Sequence, residues 1–358
     1  MWLSELTVHH CRIINEASLN FCPDLNFFFG LNGSGKTSLI EALSVLSLGR
    51  SFRTSRISET VSYDHDHLLV SALVHDADDH NIRIGIKKNS KQTIIRVNKK
   101  TIKSQSELSR ILPITVIHPL SHQLITEGSS KRRNFIDWIA FYQFPEFHPL
   151  WKQYTTILKQ RNASLKQPKL DYAIDYLTHE LCKLQKPLHS FRQQALKNLL
   201  VTLEQSTPDY LADYIPDISV TTGLPLDVSL DQDSLLNYYK SKLDYEKKRG
   251  RTIKGVHCAD LEVSLHSKPA SISASRGQTK IMAIILHIAQ SLAINRRGII
   301  SLDDLSAEID NNNYKKILTY ISCLDRQVFI TDTEKRPITG LDFNAKLFHV
   351  EHGSINAI

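Results

Sequence analysis

An apolar run, Leu25 to Phe29, leads straight into the octapeptide GLNGSGKT at Gly30 to Thr37, and a helix-patterned stretch from Ser38 to Leu48 follows. Strand, glycine loop and helix in that order leave few architectures open. Backbone N–H groups must turn inward at a helix N-terminus, which is where phosphate oxygens bind. The spacing is that of a GxxxxGK[ST] phosphate loop, so Gly30, Leu31, Asn32, Gly33, Ser34, Gly35, Lys36, Thr37 and Ser38 form the expected ATP-binding segment. Glycines at 30, 33 and 35 permit close phosphate approach, Lys36 reaches the β and γ phosphates, and the Thr37 hydroxyl is placed to ligate Mg²⁺.

Far downstream, GIISLDDLSAEID carries an apolar strand into Asp303 and Asp304. Asp303 can hold a Mg²⁺ shell together with Thr37, and Asp304 is the expected group to orient and polarise an attacking water. With Lys36 these two aspartates make the expected catalytic set. Taken alone, the Asp-Asp pair also reads as a surface turn; taken with the phosphate loop, it points to an α/β nucleotide-binding fold.

Between these motifs, SASRGQ at Ser273 to Gln278 precedes a helix-length apolar segment, TKIMAIILHIAQSLAI. It resembles the signature motif of ABC-type ATPases, in which the signature of one subunit closes over the γ-phosphate held by the other. That resemblance implies an ATP-dependent homodimer and trans contacts to ATP from Ser275, Arg276, Gly277 and Gln278. It also places Ser306, Glu308 and above all Asp310 in the loop that crosses the dimer interface. Thr331 to Glu334 follow the next strand, where a γ-phosphate contact and a plain strand end both fit. Arg50 and Arg53 can face nucleotide, DNA or solvent.

The formal net charge of +7 and pI near 9.0 point to a polyanionic partner. From His80 to Ser106 there is no acid, while Ile82, Ile84 and Ile86 alternate, KNSKQ turns, and Ile95 and Val97 return. This reads as a basic β-hairpin. Lys87, Lys88, Lys91 and Arg96 are its candidate phosphate-backbone contacts, and an edge hairpin kept soluble by lysines is the other reading.

Five scattered cysteines without a CxxC pair argue against a disulfide framework and a structural zinc site. No HExxH-like spacing occurs among the 16 histidines. The N-terminus lacks signal-peptide character, and the longest apolar stretch, Ile281 to Ile294, is too short to span a bilayer, so cytoplasmic residence without membrane attachment is expected.

Periodicity divides the chain into an N-terminal part of an ATPase head (1–122), an inserted helical arm (123–254) and a C-terminal part of the head (255–358). In the arm, Leu177, Leu181, Leu184, Leu188, Phe191 and Ala195 follow a helix-pairing pattern, and Pro187 should kink that helix. A compact arm of short antiparallel helices is expected.

Over essentially its whole length the chain resembles the RecF family of bacterial DNA repair and replication proteins. The resemblance rests on LSELTVHHCRIINEASLNF, KTSLIEALSVLSLGRSFR, KRRNFIDW, LKQRNASL, EKKRGRTIKGVHCADLEV, SRGQTK, LDDLSAEID and QVFITDTE. LKQRN and RGRT lie outside the ATPase consensus and separate this family from other ABC-type heads. It implies an ABC-type head with an inserted arm, and a slow, Mg²⁺-dependent ATPase that dimerises on ATP and binds double-stranded or gapped DNA. It also implies action with RecR and RecO to bring RecA to single-strand gaps, and a link to the SOS response. Departures from the family pattern are Ala274, Val256, Cys258, Ala259, Leu120, Ser121 and Ser301, none of which removes a phosphate or Mg²⁺ group. An SMC-like DNA-bridging head is the alternative, and it would need long heptad arms or a CxxC hook.

Overall fold

The computed structural model describes residues 1–167, 171–294, 296–307, 309–335 and 344–358, so Glu308 lies outside the described residues. They form two compact units, one from residues 1–122, 206–214 and 276–358, the other from 123–205 and 215–275.

In the first unit, β1 (Trp2–Cys11) and β2 (Ile14–Asn20) form a hairpin, and β3 (Leu25–Phe29) leaves for a different sheet. The chain returns through β4 (Leu68–His75), β5 (Asn81–Lys88), β6 (Thr93–Val97) and β7 (Lys100–Ile102) to complete an antiparallel sheet of order β2-β1-β4-β5-β6-β7. The β5–β6 register pairs Ile84 with Val97 and Ile86 with Ile95, as the alternation of isoleucines leads one to expect.

The second sheet combines β3 with β8 (Ile114–Ile117), β12 (Ile299–Leu302), β13 (Val328–Asp332), β14 (Ala345–Glu351) and β15 (Ser354–Ala357) in the order β15-β14-β3-β13-β12-β8. All pairings are parallel except that of β14 with β15. Strands β3, β12 and β13 are almost continuously apolar and buried, the pattern of parallel strands covered on both faces. Helix α1 (Lys36–Leu48) is buried nearly all round, and its Leu39, Ile40 and Leu43 share a core with Val8 and Ile84 of one sheet and Phe28 and Phe329 of the other. The carboxyl ends of adjacent strands β3, β13 and β12 therefore open side by side, the usual place for a ligand in a parallel sheet.

The second unit contains helices Ser129–Gln143, Phe147–Ser164, Asp171–Ser206 and Gln232–Arg249. One of them is not short: it runs 36 residues and continues through Pro187. Proline removes a backbone hydrogen bond and costs about 3 kcal/mol in a helix interior. Burial of Leu184 and Leu188 on either side offsets that, and Lys183, whose carbonyl loses its partner, is exposed.

The head was expected to resume at residue 255, yet residues 255–275 belong to this second unit. Here β10 (Leu261–Leu265) lies between β9 (Asp217–Val220) and β11 (Lys268–Pro269) in a small antiparallel sheet, which anchors the segment. Conversely, residues 206–214 join the first unit, where Ser206 Oγ lies 3.1 Å from the Tyr320 hydroxyl.

The interior of the second unit is rich in matched charge. Arg161 is fully buried; its Nη1 lies 2.8 Å from Glu246 Oε2 and donates to Thr252 Oγ1 at 2.6 Å, while Nε donates to Thr178 Oγ1 at 2.8 Å. The guanidinium also stands over the Tyr239 ring, 4.9 Å from its centroid. Thr252 donates through its backbone N and its hydroxyl to Asn162 Oδ1, so LKQRN and RGRT meet in one core. Arg192 pairs with Asp137, and Arg132 with Asp260, both through two nitrogens.

Candidate nucleotide site

Helix α1 begins without a side-chain cap and without an acid in its first turn, which leaves its positive end unneutralised. Gly35 precedes it at φ 117°, in left-handed space where a side chain is strained. At Gly30 the constraint is close approach, since a Cβ there would stand 2.1 Å from the Val350 carbonyl oxygen. Ser34 Oγ is buried and finds no hydrogen-bond partner among the described residues. An oxyanion held at this helix end would supply one.

Lys36 curls back over its own loop, its Nζ donating to the carbonyls of Gly30 at 2.6 Å and Leu31 at 2.9 Å. Burial pushes its pKa down, against the opposing pull of Asp304, Asp303 and Asp332. One oxygen, Asp303 Oδ1, accepts from both Thr37 Oγ1 at 3.0 Å and Thr331 Oγ1 at 2.8 Å. The same Thr331 hydroxyl accepts from the Asp304 backbone N at 2.8 Å, and Ser306 donates to Asp332 Oδ1 at 2.7 Å. Thr331 thus orients Asp303, a role that follows from its place at the end of the neighbouring strand.

Burial is the main cause that raises the pKa of Asp303, with the Thr331 and Thr37 hydrogen bonds opposing it. Asp304 is also raised, by burial and then by Asp332, against Lys36 and Lys280. These anions are incompletely compensated and gain from a cation. The donor set fits Mg²⁺: a hydroxyl and a carboxylate are hard oxygens, and two neighbouring ligands of an octahedron with bonds of about 2.1 Å stand about 3 Å apart, as Thr37 Oγ1 and Asp303 Oδ1 do. A pocket of about 210 Å³ opens here, lined by Lys36, Thr37, Asp304, Thr331, Ile13 and Arg53 among others.

The RecF/RecN/SMC N terminal domain family matches residues 2–356. The DNA replication and repair protein RecF of Psychromonas ingrahamii is 35% identical over 361 residues, covering 99% of both chains. A solved ATP complex of the recombination mediator protein RecF of the RecFOR pathway superposes with a TM-score of 0.86 at 25% identity, covering 100% of this chain and 97% of that one. The chain belongs to the RecF family. An Smc head domain from Pyrococcus furiosus, at 15% identity and a TM-score of 0.59 over 100% of this chain and 96% of that one, shares the fold.

In this RecF-family chain the signature segment opens the helix Arg276–Leu292, with Ser275 and Arg276 exposed and Gly277 and Gln278 half-buried. None of the four is among the residues lining the phosphate pocket, and the boundary between the two units falls between Ser275 and Arg276. One turn on, Lys280 Nζ donates to the Ala307 carbonyl at 3.0 Å, which ties the helix to the loop after Asp304. Asp310 caps the helix Asn311–Ser322, its Oδ1 accepting from the backbone N of Asn312 and Asn313, both at 2.9 Å.

The basic hairpin divides between two faces. Lys87 and Arg96 are exposed, each in register with residues of the outer face, and Lys91 is exposed at the turn. Lys88 points the other way: its Nζ donates to the Gly49 carbonyl at 2.6 Å and places a cation at the negative end of α1.

One residue, Glu41, carries more than its place in the sequence suggests. Glu41 is fully buried in α1 and accepts from Arg12 Nε and Nη2, both at 2.9 Å, from Ser51 Oγ at 2.5 Å and from Thr60 Oγ1 at 3.2 Å. It pins the β1–β2 hairpin and the loop after α1, and that loop carries Arg53 into the phosphate pocket. An acid within the apolar run LIEALSVL was the signal available.

Proposed function

We propose that this RecF-family chain binds ATP with Mg²⁺ at the loop Gly30 to Ser38 and hydrolyses it slowly, as a switch for DNA binding in repair and replication. The observation that carries this reading is the shared Asp303 oxygen, held by Thr37 and Thr331 beside an uncapped helix N-terminus. On binding, Lys36 exchanges loop carbonyls for terminal phosphate oxygens, and the α1 amides and Ser34 take up the rest. Thr37 and Asp303 hold Mg²⁺, which neutralises phosphate charge, and Asp304 orients the attacking water.

In this reading a second head completes the site. Leu31 in the phosphate loop is 82% exposed and would be covered by such a partner. Ser275, Arg276, Gly277, Gln278 and Asp310 then contribute from the opposing head. Lys87, Lys91 and Arg96 offer charge to double-stranded or gapped DNA, and the RecFOR resemblance makes RecR and RecO the partners through which RecA reaches gaps. The protein works in the cytoplasm.

Lys36→Ala is expected to abolish tight ATP binding and, with it, dimerisation in sedimentation. A variant that still dimerises with ATP as the wild type does would remove the phosphate loop from this role.

A further inference from the structure

A second cavity, of about 290 Å³, opens between the loop that leaves α1 and the turn joining β5 to β6. Arg50, Ser51, Thr54 and Ser55 form one wall, and Lys88 and Lys91 stand on the other. No carboxylate is among its described lining residues. Two acids stand behind its lining hydroxyls: Glu41 accepts from Ser51 Oγ at 2.5 Å and Glu59 from Thr54 Oγ1 at 2.6 Å.

Both walls are held from behind. Ser51 Oγ donates to buried Glu41 and accepts from the backbone N of Arg53 at 2.9 Å and of Thr54 at 3.2 Å. Across the cavity, Asn89 Oδ1 accepts from the backbone N of Lys91 at 2.9 Å and of Gln92 at 2.7 Å, which fixes the turn that presents Lys91. Lys88 is already engaged at Gly49, so the cations left for a ligand are Arg50 and Lys91. Two cations, the hydroxyls of Ser55, Ser90 and Thr93 and no lining acid suit a tetrahedral oxyanion. At roughly 30 Å³ per water, the volume accommodates such a group with several waters. Lys87 and Arg96 lie exposed on the opposite face of the hairpin and do not line the cavity, so the preference for a polyanion rests on the chain's net charge of +7.

We propose that this cavity seats one backbone phosphate of a DNA strand, clasped between Arg50 and Lys91. The inference rests on the reading of the chain as a DNA-binding protein and adds to it a site built partly from the loop after α1. It makes Arg50 and Ser55 contact residues, and it gives Lys88 a supporting place.

The test is the salt dependence of binding of full-length protein to a duplex oligonucleotide. Seating one phosphate contributes about 0.9 to the slope of log affinity against log salt. Arg50→Ala with Lys91→Ala is expected to flatten the slope by about one unit. Lys240→Ala with Lys242→Ala, exposed lysines elsewhere, removes the same charge and is expected to leave it unchanged. Thr93→Glu puts a carboxylate on the cavity wall and is expected to weaken binding through a different residue.

Equal loss from the two double variants, or no change in the cavity variants, overturns the proposal while leaving DNA binding itself in place. A wild type that binds no DNA overturns the underlying reading and the proposal together. Titration with inorganic phosphate separates the sources of the anion. Saturable binding that disappears in the cavity variant, with an unaltered DNA slope, assigns the site to free phosphate instead.

Discussion

The two units of this RecF-family chain bury charge in opposite ways. In the second unit, Arg161 meets a carboxylate, two hydroxyls and an aromatic face, so its charge is answered locally. In the first, Asp303, Asp304 and Asp332 gather near Lys36, yet the ammonium bonds to the carbonyls of Gly30 and Leu31. Burial there acts against three of the charged forms, raising Asp303 and Asp304 and lowering Lys36. In one cluster the guanidinium faces its carboxylate directly, although Arg161 Nη2 and Glu246 Oε2 find no hydrogen-bond partner among the described residues; in the other the ammonium bonds only to carbonyls. Sites shaped for a ligand commonly give up stability in this way.

The largest effect should come from breaking the pair of Arg161 and Glu246. Glu246→Ala leaves Arg161 buried without its carboxylate, a change that typically costs about 3–5 kcal/mol. Replacing both partners by apolar residues, Arg161→Met with Glu246→Leu, should cost much less, because no charge remains to be buried. Urea denaturation of the three proteins measures both. A Glu246→Ala variant no less stable than the double variant would show that the pair is dispensable and that the contrast between the units is misplaced.

Acid should separate the units by sign. His257 accepts or donates at the Tyr154 hydroxyl, 2.8 Å from its Nδ1, and burial drives its pKa down to about 4. The folded state therefore keeps this imidazole neutral where the unfolded chain, titrating near 6.5, takes a proton. Its contribution is fully present above pH 6.5 and is lost as pH falls towards about 4, by up to about 3 kcal/mol. At Asp303 the sign is reversed: a raised carboxyl pKa makes the folding penalty full at neutral pH and relieves it in acid. Trp138 and Trp151 lie in the second unit and Trp2 in the first, so fluorescence of a Trp2→Phe variant follows the second unit alone. Its denaturation midpoint is expected to fall between pH 6.5 and 4, and His257→Gln should flatten that fall.

What could be read from sequence was what local pattern controls. Period-two alternation set the β5–β6 register through Ile84, Ile86, Ile95 and Val97. The same alternation places residue 88 on the inner face with Ile84 and Ile86, so the departure of Lys88 from the DNA-facing set was available in sequence and went unused. The phosphate loop and the Asp303 strand end were legible because strand, loop and helix follow one another. Partners brought together by tertiary pairing were not: Glu41 draws Arg12, Ser51 and Thr60 from three separate segments. Pairing of β9 with β10 carries residues 261–265 into the second unit, which composition does not signal. The length of the helix through Pro187 was not legible either, because burial on both sides of the proline keeps the chain helical beyond it.

The smallest effect tests the cluster around Lys36 directly. Asp304 sits at φ 53°, a left-handed conformation that Asn adopts as readily as Asp, so Asp304→Asn changes charge without straining the backbone. Its raised pKa means that burial and Asp332 together outweigh the attraction of Lys36 and Lys280, and the neutral side chain should be the better tenant of the ligand-free site. A gain of about 0.5–1 kcal/mol is expected, within the range that relieving a functional site commonly yields. Thermal unfolding without nucleotide measures it, and ATP turnover in the same variant should fall by about 10² to 10⁴ as water activation is lost. If the variant is instead less stable without nucleotide, Asp304 is a structural carboxylate of the kind Glu246 represents, and the head stores no uncompensated charge at that position. If stability rises while turnover is unchanged, the charge is stored as argued but another group orients the water.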